Sequence, residues 1–220
     1  MTTTLAQRFA ELQAERERTW QPEQLAGNAR QRAALVASFD PAAVAQPGSL
    51  LPDATLIDAD GKAVTLSDLV AHGPAVLVFF RFAGCPACNI ALPYYDETLA
   101  APLRAAAIPL VAVSAQNPVD RGIIDRHGLS FPVAGDPDYV LSRALGITFL
   151  PLDQPAVAPG QPWIGTTLGT NSYEIDQPAV LIINADRTVR QLWVSPDWLA
   201  RTEAGEVLAA LPEVSAQAVA

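Results

Sequence analysis

The sequence predicts an α/β fold in which helices flank a central mixed sheet, with a helical extension at the N-terminus. Residues 75–82 (AVLVFFRF) form a nearly continuous apolar run, which is typical of a central strand covered by helices on both faces. Predicted strands also alternate with predicted helices, which favours parallel pairing in the core through right-handed crossovers. At 220 residues the chain is long enough for one domain plus an extension, and short for two full domains.

The extension is predicted to span residues 1–48. Apolar residues recur at helical spacing among charges from residue 4 to about 19. A second helix should begin at Pro22, because proline suits a first helical position, and should run to about Ser38. Prolines and a Pro47-Gly48 turn signal then lead into the main domain, residues 49–220. We expect an amphipathic arm that packs on its own domain or on a partner chain.

The main domain divides into short elements that follow one another in order. Predicted strands cover residues 54–57, 63–66, 75–82, 108–114, 131–134, 179–184 and 188–194. Predicted helices cover residues 66–71, 90–107, 119–127, 139–145 and 203–211. The Asp60-Gly61 step favours a tight hairpin turn between the first two strands.

Residues 148–176 break the alternation of strands and helices. This stretch holds four prolines and several glycines, with the aromatic residues Trp163 and Tyr173 among them, and predicts an irregular insertion. A loop of this length in a compact domain is usually functional or mobile.

Composition excludes several classes of partner. The net charge is -9, and the single lysine and thirteen arginines are scattered, so no basic stripe is available for nucleic acid or an anionic membrane surface. Charges interrupt the first 20 residues, which therefore do not resemble a signal peptide, and no later stretch approaches the ~20 apolar residues of a membrane span. We expect a cytoplasmic protein without nucleic-acid or membrane partners.

The two cysteines of the chain, Cys85 and Cys88, lie where the apolar strand meets a helix. In a reducing compartment such a pair indicates catalysis, redox sensing or metal binding rather than a structural crosslink. A thiol attacks only as thiolate, and its free pKa of about 8.5 leaves little thiolate at neutral pH. If the helix starts at Pro86, Cys85 is its N-cap and its sulfur faces unpaired N–H groups. We therefore expect Cys85 to attack and Cys88, one turn further in, to resolve.

Other roles for these cysteines fit the sequence less well. A zinc site needs two further ligands, and the two histidines, His72 and His127, are alone and far apart in sequence. A protease-like pair of Cys85 with either histidine leaves Cys88 unexplained. We expect neither a metal nor another cofactor. Arg81, four residues before Cys85, either favours a thiolate and orients a polar substrate or forms a salt bridge with a nearby carboxylate.

Several motifs together resemble the peroxiredoxin-like branch of the alkyl hydroperoxide reductase and thiol-specific antioxidant (AhpC/TSA) family, within the thioredoxin superfamily. The stretches that carry the resemblance are ADGK (59–62), TLSDL (65–69), FFR (79–81), CPACN (85–89), FPV (131–133), DP (136–137), PAVLIIN (178–184) and VSPD (194–197). The resemblance implies a thioredoxin-like fold, often in a homodimer. It also implies that peroxide oxidises Cys85, that Cys88 resolves it, and that a thiol donor regenerates the pair.

Two positions depart from typical peroxiredoxins. Phe82 stands three residues before Cys85, where the family places a threonine or serine. Pro178 stands where the family places an arginine at the start of a late strand, and resembles the cis-proline of thioredoxins. An ordinary trans proline at the first residue of a strand is the alternative.

Three functions therefore stay open at the level of the sequence. The first is a peroxidase in which Cys85 becomes a sulfenic acid, Cys88 forms a disulfide with it, and thioredoxin or glutathione reduces that disulfide. The second is a thiol–disulfide oxidoreductase with Pro178 beside the docked substrate. The third is a redox sensor. The resemblance ranks the peroxidase first.

Overall fold

A seven-stranded mixed sheet forms the centre of the molecule, as the sequence predicts. The computed structural model describes residues 3–212 and 214. Its strands are β1 Thr55–Asp58, β2 Ala63–Thr65, β3 Ala75–Phe79, β4 Leu110–Ser114, β5 Val133–Gly135, β6 Thr148–Phe149, β7 Ile175–Asp176, β8 Ala179–Ile183 and β9 Val189–Val194. The sheet order is β2-β1-β5-β4-β3-β8-β9, and β6 pairs separately with β7. Parallel pairing joins β3, β4 and β5, whereas β8 runs antiparallel to β3.

Helices cover both faces of this sheet. They are α1 Leu5–Thr19, α2 Pro22–Ser38, α3 Leu66–Leu69, α4 Cys88–Tyr95, α5 Ala101–Ala105, α6 Gly122–His127, α7 Val140–Leu145, α8 Ile164–Leu168 and α9 Ala204–Ala209. A π-helical turn joins α4 to α5, so the predicted long helix is continuous over most of its length. No helix among the described residues is long and apolar enough to cross a membrane.

Strand β3 shows why its sequence is apolar throughout. Successive side chains of a strand point to opposite faces. Val76 and Val78 therefore enter one buried cluster and Leu77 and Phe79 enter another, and all of β3 is buried. Strands β4 and β8 flank β3, which is thus central and covered on both faces, as predicted.

The N-terminal helices form where the sequence predicts them, and α1 packs on the main domain. Leu5 and Phe9 are buried in the cluster that also holds both cysteines. The Glu203 carboxylate accepts the N–H groups of Leu5 and Ala6 at 3.1 and 2.9 Å. Since the first N–H groups of a helix lack internal partners, this carboxylate caps α1 from a distant part of the chain.

The stretch over residues 148–176 is more regular than predicted. Strands β6 and β7 close it as an antiparallel pair, and α8 lies inside it. Two-residue strands and a helix of five residues are too short to produce a periodic pattern in the sequence. The rings of Trp163 and Tyr173 contact each other with centroids 4.7 Å apart.

Candidate active site

The cysteine pair lies just beyond the carboxyl end of β3. Strand β3 ends at Phe79, three residues before the predicted end at residue 82, and the chain then turns into α4. The regular helix begins at Cys88, two residues after Pro86 and two residues before the predicted range of 90–107. The Cys85 carbonyl accepts the N–H groups of Cys88 and Asn89 at 3.0 Å each. At the start of the helix, the carbonyl of Cys85 therefore accepts the N–H groups, and its sulfur does not.

Both cysteines are free thiols and both are buried. Cys88 is 0% exposed and Cys85 is 2% exposed. Gly84 and Pro86 on either side of Cys85 are exposed, whereas Ala87 beside Cys88 is buried. A molecule from solvent therefore has a shorter path to Cys85 than to Cys88.

Two groups donate hydrogen bonds to the sulfur of Cys88. Nη2 of Arg201 lies 3.4 Å from Cys88 Sγ, and the backbone N–H of Arg81 lies at the same distance. Arg201 follows β9 in sequence and is itself buried, with Nε donating to the carbonyl of Trp198 at 3.0 Å. Hydrogen bonds and positive charge both stabilise a thiolate over a thiol.

These contacts place the negative charge of the reduced pair on Cys88. Burial opposes ionisation of Cys88, but the hydrogen bond from Cys85, the Arg201 charge and the Arg81 N–H together hold its pKa well below the usual value. The hydrogen bond to Cys88, then burial, raises the pKa of Cys85 well above the usual value, against the opposing charges of Arg81 and Arg201. The hydrogen bonds and charges around the pair therefore favour a thiolate at Cys88 over a thiolate at Cys85.

Arg81 lies beside the cysteine pair and packs against aromatic rings. Its guanidinium stacks on Trp198, with Cζ 4.3 Å from the ring centroid, and also approaches the ring of Phe82. It forms no ion pair with any carboxylate of the described residues, and its buried Nε has no hydrogen-bond partner there. Its charge lowers the pKa of Cys85. Among the residues that the structure describes, the salt-bridge alternative therefore finds no carboxylate partner.

Side-chain amides hold the loop that carries Cys85. Nδ2 of Asn89 donates to the carbonyls of Ala83 and Cys85 at 2.7 and 2.9 Å. Oε1 of Gln116 accepts the N–H of Ala83 at 3.0 Å. Arg126 in turn donates to Oδ1 of Asn89 at 2.6 Å. These bonds fix the loop backbone, and with it the Cys85 side chain.

Pro178 does not adopt the cis bond that the thioredoxin resemblance implies. The cis peptide bond of the described chain joins Asn117 to Pro118 instead. Pro178 directly precedes β8, where Ala179 pairs with Phe79, and its carbonyl accepts the N–H of Ser195 at 2.7 Å. The alternative of an ordinary trans proline at the start of a strand is therefore correct.

An open cleft of about 550 Å³ adjoins the site. Arg81 and Phe82 form one wall, and Trp163, Tyr173 and Ile175 are part of the other. The predicted irregular segment thus supplies aromatic side chains next to the loop that carries the cysteines.

Sequence reasoning missed three side chains around the pair. Arg201 and Trp198 lie more than a hundred residues from the cysteines in sequence, and the motif VSPD, which ends just before them, was their nearest signal. Arg16 comes from α1 and is 5% exposed, with Nε and Nη1 lacking hydrogen-bond partners. Its guanidinium faces the ring of Trp20, and its charge interacts with Cys85.

The histidines do not join the cysteines in a metal-ligand cluster. His72 is exposed, and Nε2 of His127 lies 2.8 Å from Oδ1 of Asn89. Within the described part of the chain, no three side chains of the His, Cys, Asp and Glu types are grouped to hold a metal ion.

Comparisons with known proteins agree on one family. The model of the AhpC/TSA family matches residues 47–192. Thiol-disulfide oxidoreductase ResA of Halalkalibacterium halodurans is 32% identical over 118 residues, which are 51% of this chain and 64% of ResA. The putative peroxiredoxin Rv2521 of Mycobacterium tuberculosis is 33% identical over 102 residues, 46% of this chain and 63% of that protein. The matched part of these curated relatives is thus less than two thirds of their own length.

Solved structures match over more of the chain. Reduced Prx3 of Vibrio vulnificus in complex with H2O2 superimposes with a TM-score of 0.58 at 24% identity, covering 76% of this chain and 98% of Prx3. Peroxidoxin BcpB of Mycobacterium tuberculosis gives a TM-score of 0.56 at 19% identity, covering 78% and 97%. At these identities the likeness establishes the fold, and it confirms the predicted thioredoxin-like architecture.

Proposed function

The chain belongs to the AhpC/TSA family, and on this premise we propose that it is a thiol-dependent peroxidase for hydrogen peroxide or alkyl hydroperoxides. One observation carries the proposal. In a buried cysteine pair, Sγ of Cys88 accepts hydrogen bonds from Arg201 and from the Arg81 N–H, and the Arg81 guanidinium beside it has no carboxylate partner in the described chain. This is the arrangement that a nucleophilic thiolate requires.

The first step oxidises Cys85. Its proton passes to the Cys88 thiolate, and the Cys85 thiolate attacks the distal oxygen of the hydroperoxide. The O–O bond breaks, Cys85 becomes a sulfenic acid, and the leaving alkoxide takes a proton from water to give an alcohol. This proton transfer moves the negative charge from Cys88 to Cys85, so that the more accessible sulfur attacks.

The second step forms a disulfide. Cys88 attacks the Cys85 sulfenic sulfur, and the departing hydroxide takes the remaining thiol proton to give water. In sum, the thiol–thiolate pair, one hydroperoxide and one proton yield a disulfide, an alcohol and water. Two equivalents of a thioredoxin- or glutathione-type thiol then reduce the disulfide. The reductant, like assembly into a homodimer, is proposed from the family alone.

Arg81 is the group we assign to polarise the peroxide. Phe82 offers no hydroxyl to hold the substrate oxygens, and its carbonyl accepts the N–H of Cys85. The unpartnered Nε of Arg81 is a donor that a peroxide oxygen can use. Pro86 and Pro178 support the site through the backbone, as the turn before α4 and the start of β8.

Thiol–disulfide exchange is the second candidate. The similarity to a protein named thiol-disulfide oxidoreductase favours it, as does Phe82 in place of a hydroxyl residue. The aromatic cleft beside Arg81 is large enough to receive part of a partner chain. In this reaction Cys85 attacks a substrate disulfide and Cys88 releases the mixed intermediate.

Stopped-flow oxidation of the reduced protein separates the two candidates. We expect hydrogen peroxide or cumene hydroperoxide to react far faster than with a free thiol, and mass spectrometry to identify a Cys85–Cys88 disulfide. Cys85→Ser should abolish the reaction. A peroxide reaction no faster than that of free cysteine, together with rapid reduction of a protein disulfide, would favour the oxidoreductase.

A further inference from the structure

Arg201 is a buried cation whose counter-ion in the described chain is a thiolate. It is 9% exposed and has no carboxylate within ion-pair distance among the residues that the structure describes. A guanidinium does not lose its proton in a protein, and burying an uncompensated charge costs several kcal/mol. The atom that offsets this cost is Sγ of Cys88, 3.4 Å from Nη2.

Two more guanidinium groups add positive charge next to the cysteine pair and therefore favour an anion there. Arg16 is 5% exposed, and its Nε and Nη1 have no partners, as is the case for Nε of Arg81. The charge of Arg16 interacts with Cys85, and that of Arg81 with both Cys85 and Arg16. Aromatic rings of Trp20 and Trp198 stack on these two cations but carry no net charge to neutralise them.

Oxidation of the pair removes the anion. Reduction by glutathione is the reverse: the disulfide and two glutathione molecules give a Cys85 thiol, a Cys88 thiolate, glutathione disulfide and one proton. The disulfide form therefore leaves three cations close together without their counter-ion, whereas the reduced form restores it. A couple whose reduced form is stabilised in this way is an oxidising one.

We infer that Arg201 is a positioning residue that sets the redox balance of the pair, by stabilising the reduced state and making the Cys85–Cys88 disulfide readily reducible. The inference rests on the proposed function in one respect, namely that these cysteines form a disulfide. It does not depend on peroxide, so it applies equally to thiol–disulfide exchange.

Equilibration with glutathione buffers tests the inference directly. We expect Arg201→Met to increase the equilibrium constant for disulfide formation at least tenfold, which corresponds to a potential about 30 mV more negative. Arg201→Lys keeps the charge, and its equilibrium constant for disulfide formation should lie between those of Arg201→Met and the wild type. Arg104→Met, which changes an exposed arginine bonded to Ser130, is the matched control and should leave the constant unchanged.

The pH dependence of the wild-type potential is a second test that needs no variant. If reduction leaves Cys88 as thiolate, one proton is taken up per two electrons, and the potential falls by about 30 mV per pH unit near pH 7. Two protons would double that slope. A doubled slope in the wild type, or an Arg201→Met constant within twofold of it, would overturn the inference.

Failure of the proposed function gives a different result. If peroxide does not react but the glutathione equilibrium shows the Arg201 effect, the peroxidase is wrong and the inference stands. If no Cys85–Cys88 disulfide forms in any buffer, as judged by mass, both are wrong.

Discussion

The guanidinium of Arg81 stacks on the indole ring of Trp198, with Cζ 4.3 Å from the ring centroid. Trp198 is 2% exposed, and its carbonyl accepts Nε of Arg201. Trp198, in the loop after β9, therefore contacts two of the three cations that act on the cysteine pair. This stacking orients the Arg81 group, whose buried Nε has no hydrogen-bond partner among the described residues.

Trp198→Leu should slow the reaction with hydrogen peroxide roughly tenfold, equivalent to about 1.4 kcal/mol in the barrier, because Arg81 loses its support. The lost packing should also lower the free energy of unfolding by about 2 to 4 kcal/mol. Stopped-flow kinetics and urea unfolding measure the two effects. Trp163→Leu, in the cleft wall, is the control and should leave the hydrogen peroxide rate unchanged; equal slowing in both variants would argue against the assignment to Arg81.

Cys88→Ser should block the second oxidation step and leave the first intact. Serine carries no charge, so the Cys88 hydrogen bond and charge that raise the pKa of Cys85 are lost, and we expect Cys85 to react with peroxide at least as fast as in the wild type at pH 7. The product should be a sulfenic acid that dimedone traps, identified by mass. Cys85 oxidation tenfold slower in this variant than in the wild type would contradict this prediction and would mean that Cys88 helps to activate Cys85.

The oxidised protein should be less stable than the reduced protein. A disulfide that closes so short a loop gains little chain entropy, whereas oxidation removes the counter-ion of Arg201. A loss of about 1 kcal/mol would lower Tm by roughly 2 to 4 °C in a domain of this size. Calorimetry at pH 7 with and without reductant makes the comparison, and in Arg201→Met we expect the difference to shrink or reverse.

Local patterns predicted most of the fold and only part of the site. The apolar run at β3, the alternation of strands and helices and the arm helices are confirmed, since each depends on periodicity within a short segment. The Cys85 and Cys88 pair was found for the same reason. Arg201 and Arg16 were missed because tertiary packing brings them to the cysteines from the two ends of the chain.

Two features that the sequence left open depend on neighbouring segments. They are the isomer of Pro178 and the residue at which the helix after Cys85 begins. Asn89 and Gln116 hold the loop before α4 in a turn, so the helix begins later than Pro86 indicates. The division of the chain near residue 48 stays a prediction.

Glu203 links the arm to the main domain, and its loss should loosen that link. Its carboxylate accepts the N–H groups of Leu5 and Ala6 and the hydroxyl of Tyr94 at 2.5 Å. Glu203→Gln should lower the free energy of unfolding by about 1 to 2 kcal/mol, because a charged acceptor at a helix start becomes neutral. Amide hydrogen exchange should show the largest increase in α1. Glu17→Gln, at an exposed position of the same helix, is the control; equal effects would mean that Glu203 has no special role.

Asp176 should make the protein lose stability as pH rises above about 4. Burial, followed by the nearby Asp136 carboxylate, raises the pKa of Asp176 from 3.8 to about 8, so the folded state keeps a proton that the unfolded state releases. Between these values each pH unit lowers the free energy of unfolding by up to about 1.4 kcal/mol. Asp176→Asn keeps an acceptor for the N–H of Ala115 and should flatten this dependence in urea unfolding from pH 5 to 8.

Asp186→Asn is the matched control. Hydrogen bonds from Thr188 lower the pKa of that exposed carboxyl, so its contribution to stability is lost only as pH falls below about 4. The slope of the unfolding free energy from pH 5 to 8 should therefore persist in this variant. If the unfolding free energy of Asp176→Asn fell with pH as steeply as that of the wild type, Asp176 would have to be ionised in the folded protein.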